Sequence, residues 1–167
     1  MIFTIGHSNH SIEEFLALLG RHKITALADV RSAPYSRWAR QFNKDALTAA
    51  LADANIAYVY LGAELGGRPK DAALQENGKP NYAAMAQTET FRTGIGRVLE
   101  GAKSYTIALM CAERDPTDCH RFHLISRELA ARGVAISHIL PSGDVEGQTQ
   151  TQQRLGEINA HPDLFDR

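Results

Sequence analysis

Cys111-Ala112-Glu113-Arg114-Asp115-Pro116-Thr117-Asp118-Cys119-His120-Arg121 is the stretch whose reading decides the fold. It follows an apolar run, Tyr105 to Met110, and precedes a run in which Phe122, Ile125 and Leu129 recur at helical spacing. A strand, a loop and a helix are therefore expected, with the dense chemistry in the loop. Asp118 has the residue type and position of an N-cap, which predicts Cys119, His120 and Arg121 in the first helical turn. Backbone N–H groups and the positive end of the helix dipole would then favour an anion beside them.

Working outward, the same alternation repeats. Ile2 to Ile5 reads as a strand that stops at Gly6-His7-Ser8-Asn9-His10. Ser11 with Glu14 predicts a capping box for a helix whose Ile12, Phe15, Leu16 and Leu19 share one face. Thr25 to Val30 is the second expected strand, and Asn43 is the expected cap of a helix carrying Leu47 and Leu51. Ala57 to Leu61 is the third strand, followed by the glycine-rich loop Gly62 to Arg68. Residues 70 to 81 read as irregular, and Tyr82 to Ala102 as one helix or two. A last strand is expected at Ala135 to Leu140, after a helix ending near Gly133. Beyond Pro141 the composition turns polar, and a short helix ending before His161-Pro162 is expected there. Together these predict an α/β fold: a mainly parallel sheet of about five strands with helices on both faces, doubly wound in three layers. Residues 1–140 form the expected domain, with 141–167 a polar C-terminal extension of it.

With 167 residues and 44% hydrophobic content, the chain can bury one substantial core. A formal charge of −1 argues against a surface that coats nucleic acid or anionic lipid as a whole, so any basic patch must be local. No apolar run approaches the roughly 20 residues of a membrane span. No signal-type segment opens the chain, and a soluble cytoplasmic protein without a membrane partner is the expectation. Two cysteines do not make a disulfide framework.

In a parallel sheet the loops at the strand C-terminal ends converge on one crevice, so the segments around His7, Arg31, Gly67 and Cys111 to Arg121 are expected to share a site. Cys119 beside His120 and Arg121 is a candidate nucleophile, against the alternative that it packs inward as a small hydrophobe. His7, Glu113 and His120 are candidate proton carriers. Asp29 and Glu113 can each serve as a base or merely orient Arg31 or Arg121 through a bidentate pair. Cys111, Cys119, His120 and His123 are ligand types, but the seven residues between the cysteines do not fit a zinc knuckle, and no metal site is expected. A metal or redox sensor built on Cys111 and Cys119 is kept as an alternative. Arg31, Arg37, Arg40 and Lys44 form an acid-free basic run with Trp38 among them, the pattern that binds single-stranded nucleic acid.

Thr4-Ile5-Gly6-His7-Ser8, Asp29-Val30-Arg31-Ser32 with Pro34 and Ser36, Leu65-Gly66-Gly67, and Cys111-Ala112-Glu113 followed by Asp115-Pro116 and Cys119-His120-Arg121 resemble the DUF488 family, a domain of unknown function. The resemblance runs over residues 1 to about 140. It implies that Gly6, His7, Ser8, Asp29, Arg31, Pro34, Ser36, Gly66, Gly67, Cys111, Glu113, Cys119, His120 and Arg121 are the residues that the family marks, and it implies no reaction and no cofactor. The reading that combines these signals is an enzyme acting on a small anionic, phosphate-bearing or nucleotide-like ligand. His7, Glu113, Cys119 and His120 would be catalytic. Gly6, Ser8, Asp29, Arg31, Ser36, Gly66, Gly67, Cys111 and Arg121 would bind. A non-catalytic nucleic-acid module is the rival.

Overall fold

The run Ile107-Ala108-Leu109-Met110-Cys111 forms strand β6, buried along its whole length and paired in parallel with β1 (Ile2–Gly6) on one side and β2 (Ala26–Asp29) on the other. A strand covered on both faces must be apolar throughout, as this one is. Ile107, Leu109 and Cys111 join the core on one face, while Ala108 and Met110 join the core on the other.

A computed structural model describes residues 1–160. Its six-stranded sheet has the order β3-β2-β6-β1-β7-β8, with β3 at Ala57–Tyr60, β7 at Ile136–Ile139 and β8 at Val145–Gly147. Every pairing is parallel except β7 with β8. On one face, α1 (Ile12–Arg21) and α2 (Lys44–Asp53) contribute Phe15, Leu19, Leu47 and Leu51. On the other, α3 (Gly62–Leu65), α4 (Tyr82–Ala86), α5 (Glu89–Gly101) and α6 (Arg127–Ala131) bring Leu65, Met85, Phe91, Ile95, Val98 and Leu129. This is the three-layer α/β architecture, with one strand more than the sequence pattern indicated.

The capping box forms: the Glu14 N–H donates to Ser11 Oγ at 3.1 Å and the Ser11 N–H to the Glu14 carboxylate at 2.8 Å. Asn43 stands at the N-cap of α2, but its side-chain oxygen accepts from the Ser36 N–H at 2.6 Å instead and ties down the basic loop. The stretch read as irregular contains a two-residue hairpin, β4 (Gln75–Glu76) with β5 (Lys79–Pro80). The 82–102 pattern resolves into two helices, because Thr88 caps α5 by accepting from the Phe91 N–H.

Past Pro141 the chain adds β8 and then α7 (Gln148–Ala160), while the expected extension's residues 161–167 lie outside the described residues. Arg154 on α7 is held by Glu146 and reaches back to Asp115 at 2.9 Å. Asp115 in turn accepts from the Thr117 N–H, shaping the loop that carries Cys119. No helix among the described residues is long and apolar enough to cross a membrane.

Candidate functional site

The β1 and β6 strands stay zipped past their ends. The His7 N–H donates to Cys111 O and the Ser8 N–H to Ala112 O, both at 2.9 Å. Such close pairing of two loops demands a residue without a side chain at the crossing, since a Cβ on Gly6 would stand 1.8 Å from the Glu113 carbonyl oxygen. Ser8 adopts a left-handed φ of 47°, and its carbonyl accepts from His7 Nδ1 at 2.9 Å, which orients the ring. The opposite nitrogen, Nε2, lies 3.4 Å from Arg31 NH1. The imidazole stacks on Phe42 with ring centroids 4.4 Å apart. Burial, aided by the Arg31 charge, lowers its pKa to about 4 against the opposing effect of the Ser8 carbonyl. At neutral pH His7 is therefore a neutral base.

Asp29, fully buried at the end of β2, grips Arg31 through Nε at 2.9 Å and NH2 at 2.7 Å, and Tyr58 donates to it at 2.8 Å. Burial and the Asp29 charge raise the Tyr58 pKa, keeping the phenol protonated as a donor. Of the two roles open to Asp29, base or orienter, this geometry is that of the orienter. The Arg31 NH2 group also donates to Phe42 O at 2.8 Å.

Asp118 does not cap the helix. It closes a 3₁₀ turn, Pro116–Asp118, and the helical run begins one residue later than expected, π-wound over Arg121–Ser126 before α6. Cys119 is extended (φ −134°, ψ 145°), and its own sulfur takes the capping bond, accepting from the Arg121 N–H at 3.4 Å. The Cys119 carbonyl accepts from Phe122 and His123. A tighter turn than the spacing suggested has moved the cysteine into the cap position that the aspartate was expected to hold.

His120 is fixed by Nε2 donating to Val30 O at 3.0 Å, which leaves Nδ1 as the lone-pair nitrogen, 3.7 Å from Cys111 Sγ and 3.6 Å from Cys119 Sγ. A Cβ on Gly67 would meet the His120 ring at 2.5 Å, so the glycine loop makes room for the imidazole. Hydrogen bonding with Cys119, and then burial, push the Cys111 thiol pKa up. For Glu113, burial alone would raise the pKa, but the thiols of Cys111 and Cys119 outweigh it and hold the carboxyl below its ordinary range. Even so, Glu113 Oε2 is buried with no hydrogen-bond partner among the described residues.

These groups line one cleft of about 610 Å³ at the strand C-terminal ends, walled by His7, Arg31, Ser36, Gly67, Cys111, Glu113, Cys119 and His120. Gly6, Ser8, Asp29, Gly66 and Arg121 are not among the residues that line it. Arg121 is wholly buried and donates to the carbonyls of Glu113 at 2.8 Å and Arg114 at 3.3 Å, so it holds the loop in shape from beneath. The cleft also takes Ser32, Arg68, Tyr82, Asp118 and the exposed aromatics Tyr35 and Trp38. Arg68 sits in the glycine-rich loop that the sequence marks, whereas Pro80 on the unforeseen hairpin and Tyr82 at the start of α4 carried no signal for the site. Within the basic run, Arg37 stacks on Trp38 at 4.8 Å and Lys44 lies over Tyr60 at 5.3 Å.

No curated protein and no solved structure matches the chain. The family model described as "Domain of unknown function DUF488" matches residues 11–127, a span that takes in Asp29, Arg31 and the whole Cys111 to Arg121 loop and leaves Gly6-His7-Ser8 just outside. With well over half of its length matched, and with the strand-end loops built from the residues that carry the resemblance, the chain belongs to the DUF488 family.

Proposed function

We propose that this protein is an enzyme acting on a small anionic ligand of nucleotide-like chemistry, held in the strand-end cleft. The observation that carries the reading is the convergence of loops from four strands, β1, β2, β3 and β6, on one 610 Å³ cleft bearing two imidazoles, two thiols and two carboxylates. A purely structural crevice has no need of that many ionisable groups. His7, neutral and buried, and Glu113 are the proton carriers; Cys119 and His120 face the ligand from the β6 side. The anionic group belongs near Arg31 and Arg68. Arg31 is already paired with Asp29, while the Arg68 side chain makes no hydrogen bond or ion pair among the described residues. Trp38, 84% exposed at the mouth, suits a stacked base.

The test is calorimetric titration with adenosine monophosphate and, separately, inorganic phosphate. Saturable binding of the nucleotide is expected, weakened roughly 10-fold or more in Arg68→Ala through loss of a charge-assisted hydrogen bond. A comparable loss is expected in Trp38→Ala, since stacking on one base contributes about 1–3 kcal/mol. Both side chains are exposed, so the fold tolerates the changes. Absence of saturable binding, or binding indifferent to both variants, rules the reading out. A second reading, a non-catalytic single-strand binder, is favoured by the Arg37–Trp38 stack and by Lys44 nearby. It requires oligonucleotide binding that falls steeply with salt, which a mononucleotide site does not show.

A further inference from the structure

We infer that Cys111, Cys119 and His120 form a binding site for a zinc-type divalent cation, with its fourth coordination position turned toward the cleft beside Glu113. The three donor atoms, Sγ, Sγ and Nδ1, lie within 4.8 Å of one another and are all buried. A tetrahedral ion with bonds of about 2.3 Å to sulfur and about 2.05 Å to nitrogen spaces each sulfur about 3.5–3.6 Å from the nitrogen. The observed separations are 3.7 and 3.6 Å. Each sulfur thus already stands at the spacing from Nδ1 that a bound ion imposes, and the two sulfurs lie within 4.8 Å of one another, against about 3.8 Å around such an ion.

The surroundings are those of a ligand set. His120 donates its other ring nitrogen to the Val30 carbonyl, the outer bond that fixes tautomer and orientation in metal-bound histidines. Nδ1 then has one in-plane lone pair with two thiols crowding it, and only one of them can donate to it. One cation at the centre satisfies all three donors at once. Cys119 Sγ accepts the Arg121 N–H, a contact that suits a thiolate better than a thiol. Glu113 lines the same cleft as these donors, and its carboxylate, whose Oε2 is buried with no hydrogen-bond partner among the described residues, is the one available to a metal-bound ligand or water. Two sulfurs and an imidazole select zinc over magnesium or calcium, which take oxygen donors.

The spacing rule for zinc knuckles misses this site for a physical reason. That rule describes ligands on one tight turn, whereas here one sulfur comes from a strand end and the other from a helix cap, folded together by the 3₁₀ turn at Pro116–Asp118. His123 is not part of the set; its Nε2 bonds the Thr117 carbonyl at 2.6 Å.

The full chain, purified without chelator under reducing conditions, is analysed for metal content. The stripped protein is then titrated with cobalt(II) and with zinc in competition. About one zinc per chain is expected, with thiolate-to-cobalt charge-transfer absorption and tetrahedral-type visible bands that zinc abolishes. Cys111→Ser, Cys119→Ser and His120→Ala should each weaken cobalt binding at least 10-fold, and His123→Ala should leave it unchanged. If the three variants do not fold, the wild-type spectrum decides alone, because only sulfur ligation gives the charge-transfer bands. A stripped chain with free, reduced thiols and no such bands overturns the inference, and so does a Cys111–Cys119 disulfide that survives the reductant. Only the role of the fourth position rests on the proposed enzymatic reading. Metal binding without nucleotide binding sinks that reading and leaves the site standing, and the reverse result does the opposite.

Discussion

Acidification from pH 7 to pH 5.5 is expected to destabilise the protein through two buried imidazoles, His7 and His138. His138 on β7 is completely buried, accepts from the Thr4 hydroxyl at Nδ1 and donates from Nε2 to Gln148, both at 2.8 Å. Burial lowers the pKa of each ring from 6.5 to about 4; at His138 the charges of Arg121 and Arg154 add to it while the Gln148 bond and Glu146 oppose. Between pH 6.5 and 4 the unfolded chain binds these protons and the folded one does not, so stability rises with pH through that window and is fully present above it. Below about pH 4 both states are protonated and the change ends. From pH 7 to 5.5, two groups with these values lose about 1.2 kcal/mol each, about 2.5 kcal/mol together. Carboxylates held below their ordinary range, such as Glu113, Asp115 and Glu146, add their own loss only at lower pH. Urea unfolding at the two pH values is the assay. With a slope of about 2 kcal/mol per molar, the midpoint should fall by roughly 1.2 M. His138→Gln, which keeps hydrogen-bonding capacity but cannot titrate, should remove about half of that fall. A midpoint that moves by less than about 0.3 M, or a His138→Gln variant with undiminished pH dependence, refutes the reasoning.

Asp29→Asn leaves the Arg31 guanidinium buried without its counter-charge and should cost about 3–5 kcal/mol, measured by urea or thermal unfolding; a loss below 1 kcal/mol means that the pair is solvated. Gly6→Ala and Gly20→Ala form a matched pair. The first drives a Cβ into the Glu113 carbonyl and should destabilise by about 3 kcal/mol or more while disturbing the cleft, whereas the second meets nothing within 4 Å on α1 and should stabilise by up to about 1 kcal/mol. Equal effects of the two in thermal unfolding contradict the close crossing of the β1 and β6 loops.

The fate of the arginines shows how a functional reading shifts once partners are known. Arg31 and Arg121 have equal claims on an anion by residue type, one following a strand end and the other expected in a first helical turn. One is bound to a buried aspartate and still reaches the cleft, and the other is spent on two main-chain carbonyls beneath it. Arg68, whose side chain has no such partner among the described residues, also lines the cleft. Guanidinium groups are five-donor forks that serve a carbonyl, a carboxylate or a phosphate equally well. Their sequence neighbours do not say which acceptor will be in reach.

The order of the five parallel strands and of the longer helices between them was legible in the chain alone, whereas the short helix α3 formed where a loop was expected. Fully buried parallel strands require unbroken apolar runs, as in Ile107 to Cys111, and helices packed on one side require a stripe, as in α1. Both periodicities are local properties. The gathering of the His7, Arg31 and Cys111 to His120 segments followed from parallel topology, because such a sheet brings its loops to one end. Whatever depends on contact between distant segments was decided by tertiary structure. Edge strand β8 is three residues long, too short to carry a pattern, and exists because β7 offers it an open edge. Cys119 replaces Asp118 at the cap because a 3₁₀ turn shortens the path from Asp115, whose side chain is held by Arg154 thirty-nine residues on. His120 turns its Nδ1 to both sulfurs because a carbonyl ninety residues earlier takes its other nitrogen. Hydrogen-bond partners so far apart leave no local trace in composition or spacing, and in this protein they set what each polar side chain can do.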